Sequence, residues 1–429
     1  MSEGKMHNQI PRREFIKTSV AATAAGVAST VLAGRAWAQA DTTIRIGLIG
    51  CGGRGSGAAR DATSSSEGVE LYAMGDLFQD RLDRAFNALG QALGPRFNVA
   101  KERCFAGFDA CQKVLATDVN YVILTTPPGF RPQQVQAAVE AGKHVFMEKP
   151  VAVCPAGVRA VIAAGERAKE RGLGIVAGTQ FRHHRGYQDI VQRLHDGAIG
   201  RILAAQCYFN TGALWKHDRQ PEWSDIEWQI RNWLYFTWLS GDHIVEQHIH
   251  YLDTVNWILQ AHPVECVALG GRQVRTDPSY GHIYDHFATD FTYPDGVKVL
   301  SMCRQMDNCE NRVGEHIIGT EGTADGLGGV IQGKETYRTA DQGGLGAAYK
   351  QEHADLIASI RAGQPLNEAQ QVAESTLTAV MARMSAYTGK KVTWDFAMNE
   401  SKLNLMRDIT QFGDMPVDEV AMPGKTPLI

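Results

Sequence analysis

A glycine-rich segment has the residue spacing that binds the pyrophosphate of a dinucleotide. It reads Gly50-Cys51-Gly52-Gly53-Arg54-Gly55, which fits the pattern G-x-G-x-x-G. The first glycine makes a tight turn, the second lets the backbone approach the pyrophosphate, and the third allows a helix to pack closely on a strand. The amides at the start of the following helix suit an anion. The segment therefore predicts a dinucleotide site.

An acidic residue stands where such a site would hold the adenosine ribose. Asp76 follows the apolar run 69–74, about 24 residues beyond Gly52. An aspartate here can bind both ribose hydroxyls and would repel a 2′-phosphate, which favours NAD over NADP. Two alternatives stay open, because Arg54 could hold a 2′-phosphate and Asp76 could cap a following helix.

Short apolar runs are expected to position these groups as strands of one sheet. The runs are Ile44–Ile49, 69–74, Tyr121–Leu124 and His144–Met147. Helical stretches alternate with them, and this order predicts a doubly wound parallel sheet whose ligands bind beyond the carboxyl ends of the strands. The candidates that fall at this edge are Gly50, Asp76, Thr126 and Lys149.

Lys149 is the basic group at this edge. It lies in Glu148-Lys149-Pro150, directly after the run His144–Met147. An ammonium in a cleft beside a redox cofactor suits proton exchange with a sugar hydroxyl. The alternative is a surface lysine before a proline turn.

An aromatic part of the chain gives candidates for substrate contacts. Residues 208–238 are rich in Trp, Tyr and Phe, including Trp215, with Lys, His and Arg interleaved. Aromatic faces stack on sugar rings, but aromatic residues with arginine also mark subunit interfaces, so both interpretations stay open. Arg182 and Tyr187, which follow the expected strand 174–179, are further candidates.

Composition limits the class of protein. The chain has 429 residues, a formal net charge of −4, 44% hydrophobic residues and no long basic run. These values are typical of a globular protein of two or three domains, and they argue against nucleic-acid binding. The cysteines lack the spacing of a metal site, so no metal is predicted.

The first forty residues are expected to be a targeting segment. Arg12-Arg13 precedes an alanine-rich stretch and the small-residue site Ala36-Trp37-Ala38. This arrangement resembles a twin-arginine signal peptide, which exports folded proteins and therefore implies a tightly bound cofactor and a periplasmic location. The alternative is a disordered tail. No membrane association is expected after the signal is removed.

Several motifs together resemble one enzyme family. They are G-C-G-G-R-G at 50–55, T-P-P at 126–128, A-G-K-H-V-F-M-E-K-P at 141–150, G-A-I-G-R-I at 197–202 and I-G-T-E-G at 318–322. In combination they are similar to the Gfo/Idh/MocA oxidoreductases. The resemblance implies a Rossmann domain over 41–178, after the signal at 1–40, and an α+β domain over 179–429 with a large, mostly antiparallel sheet. It also implies assembly into a homo-oligomer, a dimer or a tetramer, through that sheet.

The resemblance also assigns roles to individual residues. It places Lys149 near the nicotinamide and the reacting carbinol, and it aligns Glu246, His250 and Asp253 with an acid–histidine–acid set. If 240–259 is one helix, these three residues share a face, so Glu246 can orient His250 as a general base. The full set of predicted site residues is: catalytic, Lys149, His250 and Glu246; cofactor-binding, Gly50, Gly52, Gly53, Arg54, Gly55, Asp76, Thr126, Pro127, Glu148 and Lys149; substrate-binding, Arg182, Tyr187, Trp215, His243 and Asp253.

The resemblance and the motifs together predict an exported oxidoreductase. It would transfer hydride between a tightly bound nicotinamide cofactor, NAD rather than NADP, and a sugar, polyol or sugar derivative. One alternative is an NAD-dependent glycosidase that acts by transient oxidation and elimination. A second is a sugar-binding protein without catalysis.

Overall fold

A parallel sheet forms the first part of the chain in the computed structural model, which describes residues 43–340 and 344–429. Six strands lie in the order β3-β2-β1-β4-β5-β6. They are β1 Ile44–Ile49, β2 Val69–Asp76, β3 Cys104–Ala106, β4 Tyr121–Leu124, β5 His144–Met147 and β6 Ile175–Ala177. The bounds predicted for β1, β4 and β5 are confirmed, and β2 runs two residues further than predicted, to Asp76.

Helices cover both faces of this sheet, which explains why its central strands are apolar throughout. Every residue of β4 is fully buried, as in a strand packed on both sides. The connecting helices are Gly53–Ser65, Gln79–Leu93, Ala110–Leu115, Arg131–Glu140 and Pro155–Glu170. Because all six strands are parallel, their carboxyl ends meet at one edge.

A second sheet of nine strands follows, in the order β14-β13-β12-β11-β7-β10-β9-β8-β15. Only β7 and β10 pair in parallel, and the other neighbours are antiparallel. The strands are β7 Ile202–Thr211, β8 Glu265–Gly271, β9 His286–Thr292, β10 Lys298–Gln305, β11 Arg312–Gly319, β12 Thr323–Asp325, β13 Val330–Gln332, β14 Thr336–Arg338 and β15 Val392–Thr393. The two sheets confirm the predicted fold class.

Helices of the second half connect the two sheets. They are Arg185–His195, Asp225–Arg231, Thr237–Ser240, His243–Glu246, Ile249–Leu259, Leu345–Arg361 and Ala369–Thr388. Ala369–Thr388 is buried on almost all sides and packs on both β8 and Pro155–Glu170. Its buried positions are small or apolar residues with one exception, Arg383, which donates a hydrogen bond to the Gly241 carbonyl at 2.9 Å.

One of these helices returns to the parallel sheet. Leu345–Arg361 packs on Gly53–Ser65, and Arg361 donates a hydrogen bond to the Glu67 carbonyl at 2.7 Å. The two expected domains are therefore interleaved at this point, and the boundary at 178 and 179 stays a prediction. The expected signal at 1–40 lies outside the described residues. Across 43–340 and 344–429, no helix has both the length and the apolarity needed to span a membrane.

Candidate functional site

The glycine-rich loop between β1 and Gly53–Ser65 forms an open cradle. Gly50 has a φ of +97°, and a Cβ there would lie 2.7 Å from the carbonyl carbon of Thr125. A Cβ on Gly55 would overlap the carbonyl oxygen of Gly50, so close contact of helix and strand requires glycine. At Gly52 and Gly53 a Cβ would meet nothing within 4 Å. The backbone there is free to approach a pyrophosphate, which fits the predicted dinucleotide.

Asp76 ends β2 beside this loop. Its carboxylate accepts hydrogen bonds from the amide of Cys51 at 2.6 Å and from the amide of Phe78 at 2.9 Å. Burial raises the pKa of Asp76, and the two amides oppose that shift. The carboxylate is thus fixed to the loop and retains acceptor positions for ribose hydroxyls. The N-cap of the next helix is Phe78, so Asp76 is not the cap.

Arg54 is held by carboxylates. Its Nε pairs with Glu148, and its other nitrogens lie 3.6 Å from Asp61 and 3.6 Å from Glu352. The guanidinium also stacks on the ring of Tyr349, 4.4 Å away. Burial acts to lower the pKa of Arg54, but the neighbouring carboxylates raise it overall. These contacts argue against the alternative that Arg54 serves a 2′-phosphate.

A groove of about 1210 Å³ runs along the carboxyl edge of the parallel sheet. Its wall contains the glycine loop, Asp76, Thr126 and Pro127 on one side. The other side comes from the second half of the chain, namely Trp215, His217, Trp223, Arg231, Trp233 and residues 407–410. We call it the dinucleotide groove. Its size and its open glycine cradle suit an elongated ligand with a central anion.

The aromatic run therefore divides into two parts. Trp215, which is 45% exposed, lines the dinucleotide groove together with Trp223 and Trp233. Trp228 and Trp238 are buried in an aromatic core behind the groove, and Trp223 and Trp233 also pack against that core. The structure puts Trp215 in the wall of the groove, and its predicted contact with substrate stays a prediction.

Lys149 follows β5 and forms an ion pair with Glu246. Its Nζ lies 3.0 Å from Glu246 Oε1 and donates a second hydrogen bond to the Glu246 carbonyl oxygen at 2.6 Å. The two side chains are only 13% and 12% exposed. The pair does not line the dinucleotide groove, but its neighbour Glu148 binds Arg54, which does. Glu148 thus links the pair to the groove.

The helix predicted over 240–259 is wrong in one respect, because it is broken. His243–Glu246 and Ile249–Leu259 are separate helices. In a continuous helix the Glu246 carbonyl would accept from the His250 amide. Here the Glu246 carbonyl oxygen accepts a hydrogen bond from Lys149 Nζ instead. The His250 amide donates to the carbonyl oxygen of Gln247, at 3.4 Å. Glu246 and His250 consequently lie on different helices, and the Glu246 side chain binds Lys149.

His250 is a buried, neutral imidazole that experiences the charge of Lys149. Burial, and then the charges of Lys149 and Arg54, hold the pKa of His250 well below its usual value. Its Nδ1 has no hydrogen-bond partner among the described residues, and its ring makes an edge contact with Phe181 at 5.7 Å between centroids. A neutral imidazole with an unused nitrogen can accept a proton.

Arg182 and Asp253 pair with each other instead of facing the groove. Arg182 donates to both Asp253 oxygens, at 2.9 Å and 3.0 Å, and Ser375 donates to Asp253 at 2.7 Å. Asp253 is 1% exposed. Arg182 lines a separate cavity of about 500 Å³ with Trp257. This bidentate pair is positioned to hold Ile249–Leu259 against the first half of the chain.

Tyr187 and His243 are likewise packed away from the groove. The Tyr187 hydroxyl donates to Glu315 at 3.4 Å, and the Tyr187 ring stacks on Phe181 with 4.6 Å between centroids. Both Tyr187 and His243 are nearly inaccessible. Burial holds the pKa of His243 well below its usual value. The structure does not bring these two predicted substrate residues to the groove.

Some neighbours of the site had no assigned role in the sequence. Arg131 is fully buried and donates hydrogen bonds to the carbonyls of Pro150 and Thr126, which ties the ends of β4 and β5 together. Burial lowers the pKa of Arg131 to about 10. Glu352 and Tyr349 come from the distant helix Leu345–Arg361. No sequence motif connects that helix to the glycine loop, so only the tertiary packing reveals the contact.

The structure also bears on metal binding and on disulfides. Among the residues it describes, no group of three or more His, Cys, Asp or Glu side chains is arranged to hold a metal ion. All eight cysteines are free thiols, and most are buried.

Comparisons with known proteins agree with this architecture. Residues 44–175 match the model "Oxidoreductase family, NAD-binding Rossmann fold", and residues 187–325 match "GFO/IDH/MocA C-terminal domain". Inositol 2-dehydrogenase 3 of Saccharopolyspora erythraea is 26% identical over 60% of this chain and 65% of its own length. A glycosyl hydrolase family 109 protein of Shewanella baltica strain OS195 is 26% identical over 53% of this chain and 50% of its own length.

A solved structure shares the fold. Scyllo-inositol dehydrogenase of Lactobacillus casei, with bound NAD(H) and scyllo-inositol, has a TM-score of 0.63 and 20% identity, and it covers 82% of this chain and 99% of its own. The chain spans between half and two thirds of the length of the two curated relatives named above. The two family models match consecutive parts of the chain, from residue 44 to residue 325. The chain therefore belongs to the Gfo/Idh/MocA oxidoreductase family.

Proposed function

We propose that the protein is an NAD-dependent oxidoreductase that acts on a CH–OH group of a sugar, polyol or sugar derivative. The observation that carries this proposal is the link between the dinucleotide groove and the Lys149–Glu246 pair. Glu148 binds Arg54 in the groove wall, and the next residue, Lys149, is held by Glu246. A proton-exchanging ammonium beside a dinucleotide site is what oxidation of a hydroxyl requires.

Four groups would hold the cofactor. The amides of the glycine loop from Gly50 to Gly55 would bind the pyrophosphate, and Asp76 would accept hydrogen bonds from the ribose hydroxyls. Thr126 and Pro127 form the wall beyond β4. When bound, the cofactor would supply the hydride acceptor, a nicotinamide ring that is cationic before the transfer and neutral after it. The carboxylate grip on Arg54 and the acidic Asp76 support NAD over NADP.

Three side chains have separate roles in moving the hydroxyl proton. The Lys149 ammonium would donate a hydrogen bond to the reacting oxygen, and Glu246 fixes the direction of the Lys149 side chain through two hydrogen bonds. Burial and the neighbouring cations lower the pKa of His250, which keeps its imidazole neutral but also weakens it as a base. Its proposed role as the proton acceptor therefore rests on its Nδ1 atom, which has no hydrogen-bond partner in the described part of the chain. Glu246 therefore acts as a positioning residue for Lys149, in place of the predicted contact with His250.

A panel of substrates tests this proposal. Purified protein loaded with NAD is incubated with inositols, hexoses and aryl glycosides, and both nicotinamide absorbance and released aglycone are followed. We expect stoichiometric reduction of the nucleotide by at least one polyol or sugar, which stops until a second carbonyl compound is added. Failure of the protein to bind NAD, or binding without reduction across the panel, would contradict the proposal.

The second candidate is redox-assisted cleavage of a glycoside without net change of the cofactor. The specific observation in its favour is the similarity to the glycosyl hydrolase family 109 protein. Such a cycle needs a further base near the substrate. His243, His248 and Tyr187 are the groups that could supply this base, and all three are nearly inaccessible. Release of aglycone from the panel with constant nicotinamide absorbance would establish this candidate instead.

Export in the folded state belongs to the same proposal. The twin-arginine segment at 12–13 supports a periplasmic location, and export of a folded chain would require NAD to be retained tightly. Replacement of Arg12 and Arg13 by lysine in the full chain should keep the protein in the cytoplasm, as measured by fractionation. Unchanged export of that double variant would contradict this part of the proposal.

The outer face of the second sheet supports assembly of copies of the chain. Val267, Leu269, Leu300 and Met302 are exposed apolar side chains on β8 and β10, which flank β9. A row of this kind on an open sheet is typical of a subunit interface. The variant Leu269→Glu should shift the mass measured by light scattering toward the monomer. An unchanged mass would refute assembly through this face.

A further inference from the structure

The C-terminal part of the chain crosses the dinucleotide groove. Residues 407–410 belong to the wall of the groove, although the family models end at residue 325. Neither model therefore assigns a role to this segment. We define residues 405–415 as the C-terminal strap.

The two ends of the strap are fixed to different halves of the molecule. At its start, the Leu405 amide donates to Cys154 Sγ at 3.2 Å, and Cys154 precedes the helix Pro155–Glu170 of the parallel sheet. At its end, the Met415 amide donates to Asp225 at 3.0 Å, and Gln229 donates to the Met415 carbonyl at 2.7 Å. The helix Asp225–Arg231 follows β7 of the second sheet. The strap thus spans the groove between two anchors.

The strap lies over the adenosine end of the groove. Phe412 stacks on Phe78, with 5.9 Å between centroids and an angle of 12°, and meets the edge of Phe108 at 4.9 Å. Phe78 is the residue whose amide binds Asp76. Phe108 follows Gly107, whose amide donates to the Asp76 carbonyl at 3.1 Å. Phe78 and Phe108 line the groove, and Phe412 packs on both from outside, so it holds the strap beside the carboxylate that would bind the ribose.

We propose that the C-terminal strap forms the outer wall of the adenosine subsite and slows release of the cofactor. This inference rests on the proposed function, because it requires NAD in the groove. A dinucleotide whose adenosine lies beneath the strap cannot leave until Phe412 separates from Phe78 and Phe108. Such a barrier acts on the dissociation rate, and most affinity differences between related complexes lie in that rate.

The test measures NADH dissociation from the full-length holoprotein. The holoprotein loaded with NADH is mixed rapidly with an excess of NAD, which is not fluorescent, and NADH fluorescence is followed. The measurement is made on the wild type, Phe412→Ala and Phe412→Leu. Two aromatic contacts are lost in the alanine variant, so we expect its dissociation rate to rise about tenfold. Phe412→Leu keeps apolar volume and should give a smaller increase. The matched control is Met422→Ala, because Met422 is a 52% exposed residue of the same tail outside the groove.

The outcomes separate this inference from the proposed function. Faster dissociation in both Phe412 variants and not in Met422→Ala supports the strap. Equal dissociation rates in the wild type and both Phe412 variants, with unchanged melting temperatures, overturn the strap and leave the proposed function standing. Absence of NADH binding in the wild type itself overturns the proposed function.

Discussion

Replacement of Lys149 by alanine is the perturbation that follows most directly from the site. Lys149 contributes the ammonium, and the change removes both of its hydrogen bonds to Glu246, at 2.6 Å and 3.0 Å. General acid–base groups typically contribute 10²-fold to 10⁴-fold in rate, so turnover should fall by at least about 10²-fold, or about 2.7 kcal/mol in the barrier. NAD content should stay unchanged, because Lys149 does not line the dinucleotide groove.

The same change should also cost stability. It leaves the Glu246 carboxylate, which is 12% exposed, without its cation. Loss of one partner of a fully buried pair costs about 3–5 kcal/mol and of an exposed pair less than about 1 kcal/mol. An intermediate loss of about 2 kcal/mol is therefore expected from urea unfolding. Single-turnover reduction and nucleotide content measured by mass spectrometry complete the assay.

A second lysine pair serves as the control for this prediction. Lys391 lies 2.9 Å from Glu265, but the two side chains are 56% and 36% exposed. Lys391→Ala removes a pair of nearly the same length far from the groove and should change neither turnover nor stability by a measurable amount. Near-normal turnover in Lys149→Ala, or loss of bound NAD in that variant, would refute the role assigned to Lys149.

Three further predictions concern the cofactor site and the pH dependence of stability. Asp76→Asn should weaken NAD binding and reduce discrimination against NADP, measured by titration calorimetry with both nucleotides; unchanged preference would contradict the ribose contact. Gly55→Ala places a Cβ against the Gly50 carbonyl and should abolish NAD binding or lower the melting temperature, measured by thermal unfolding with and without NAD; normal values of both would refute the close packing. Burial raises the pKa of Glu315 to about 8, so the folded state keeps a proton that the unfolded state loses above about pH 4.5. As the pH rises from about 5 to 7, the free energy of unfolding of the wild type, measured in urea, should fall by about 1.4 kcal/mol per pH unit relative to that of Glu315→Gln. Parallel plots of this free energy against pH for the two proteins would contradict the raised pKa.

The parallel sheet was predictable because its signals are local. Tyr121–Leu124 is apolar throughout, and the strand has those bounds, since a strand packed on both faces needs no polar alternation. Glycine is required at positions 50 and 55, because a Cβ at either position would collide with neighbouring backbone atoms. Asp76 ends its strand, at the spacing of a ribose-binding acid. Each of these assignments depends on residues close to one another in the sequence.

The break after Glu246 was not predictable for the opposite reason. The residues from Ser240 to Leu259 have a helical pattern, and nothing local in them shows that the Glu246 carbonyl is taken by Lys149. That contact joins residues that are far apart in the chain. The pairing of Arg182 with Asp253 is hidden in the same way, because two predicted substrate residues satisfy each other.

The strap and the second sheet show the same limit. Phe412 lies in a tail without a motif, and its partner Phe78 comes from the first half of the chain. The nine-stranded sheet was expected only from the family resemblance, because several of its strands, such as β13 Val330–Gln332, have three residues or fewer. Short antiparallel strands owe their stability to their neighbours in the sheet.

Deuterium transfer is the measurement that tests the central claim most directly. The NAD-loaded protein is mixed with a reactive polyol that carries deuterium on its carbinol carbon, and the nucleotide is extracted after a single turnover for mass spectrometry. We predict one deuterium in the reduced nucleotide from the wild type, formed at least about 10²-fold more slowly in Lys149→Ala. Oxidised polyol with no deuterium in the nucleotide would contradict direct transfer to a cofactor in the dinucleotide groove.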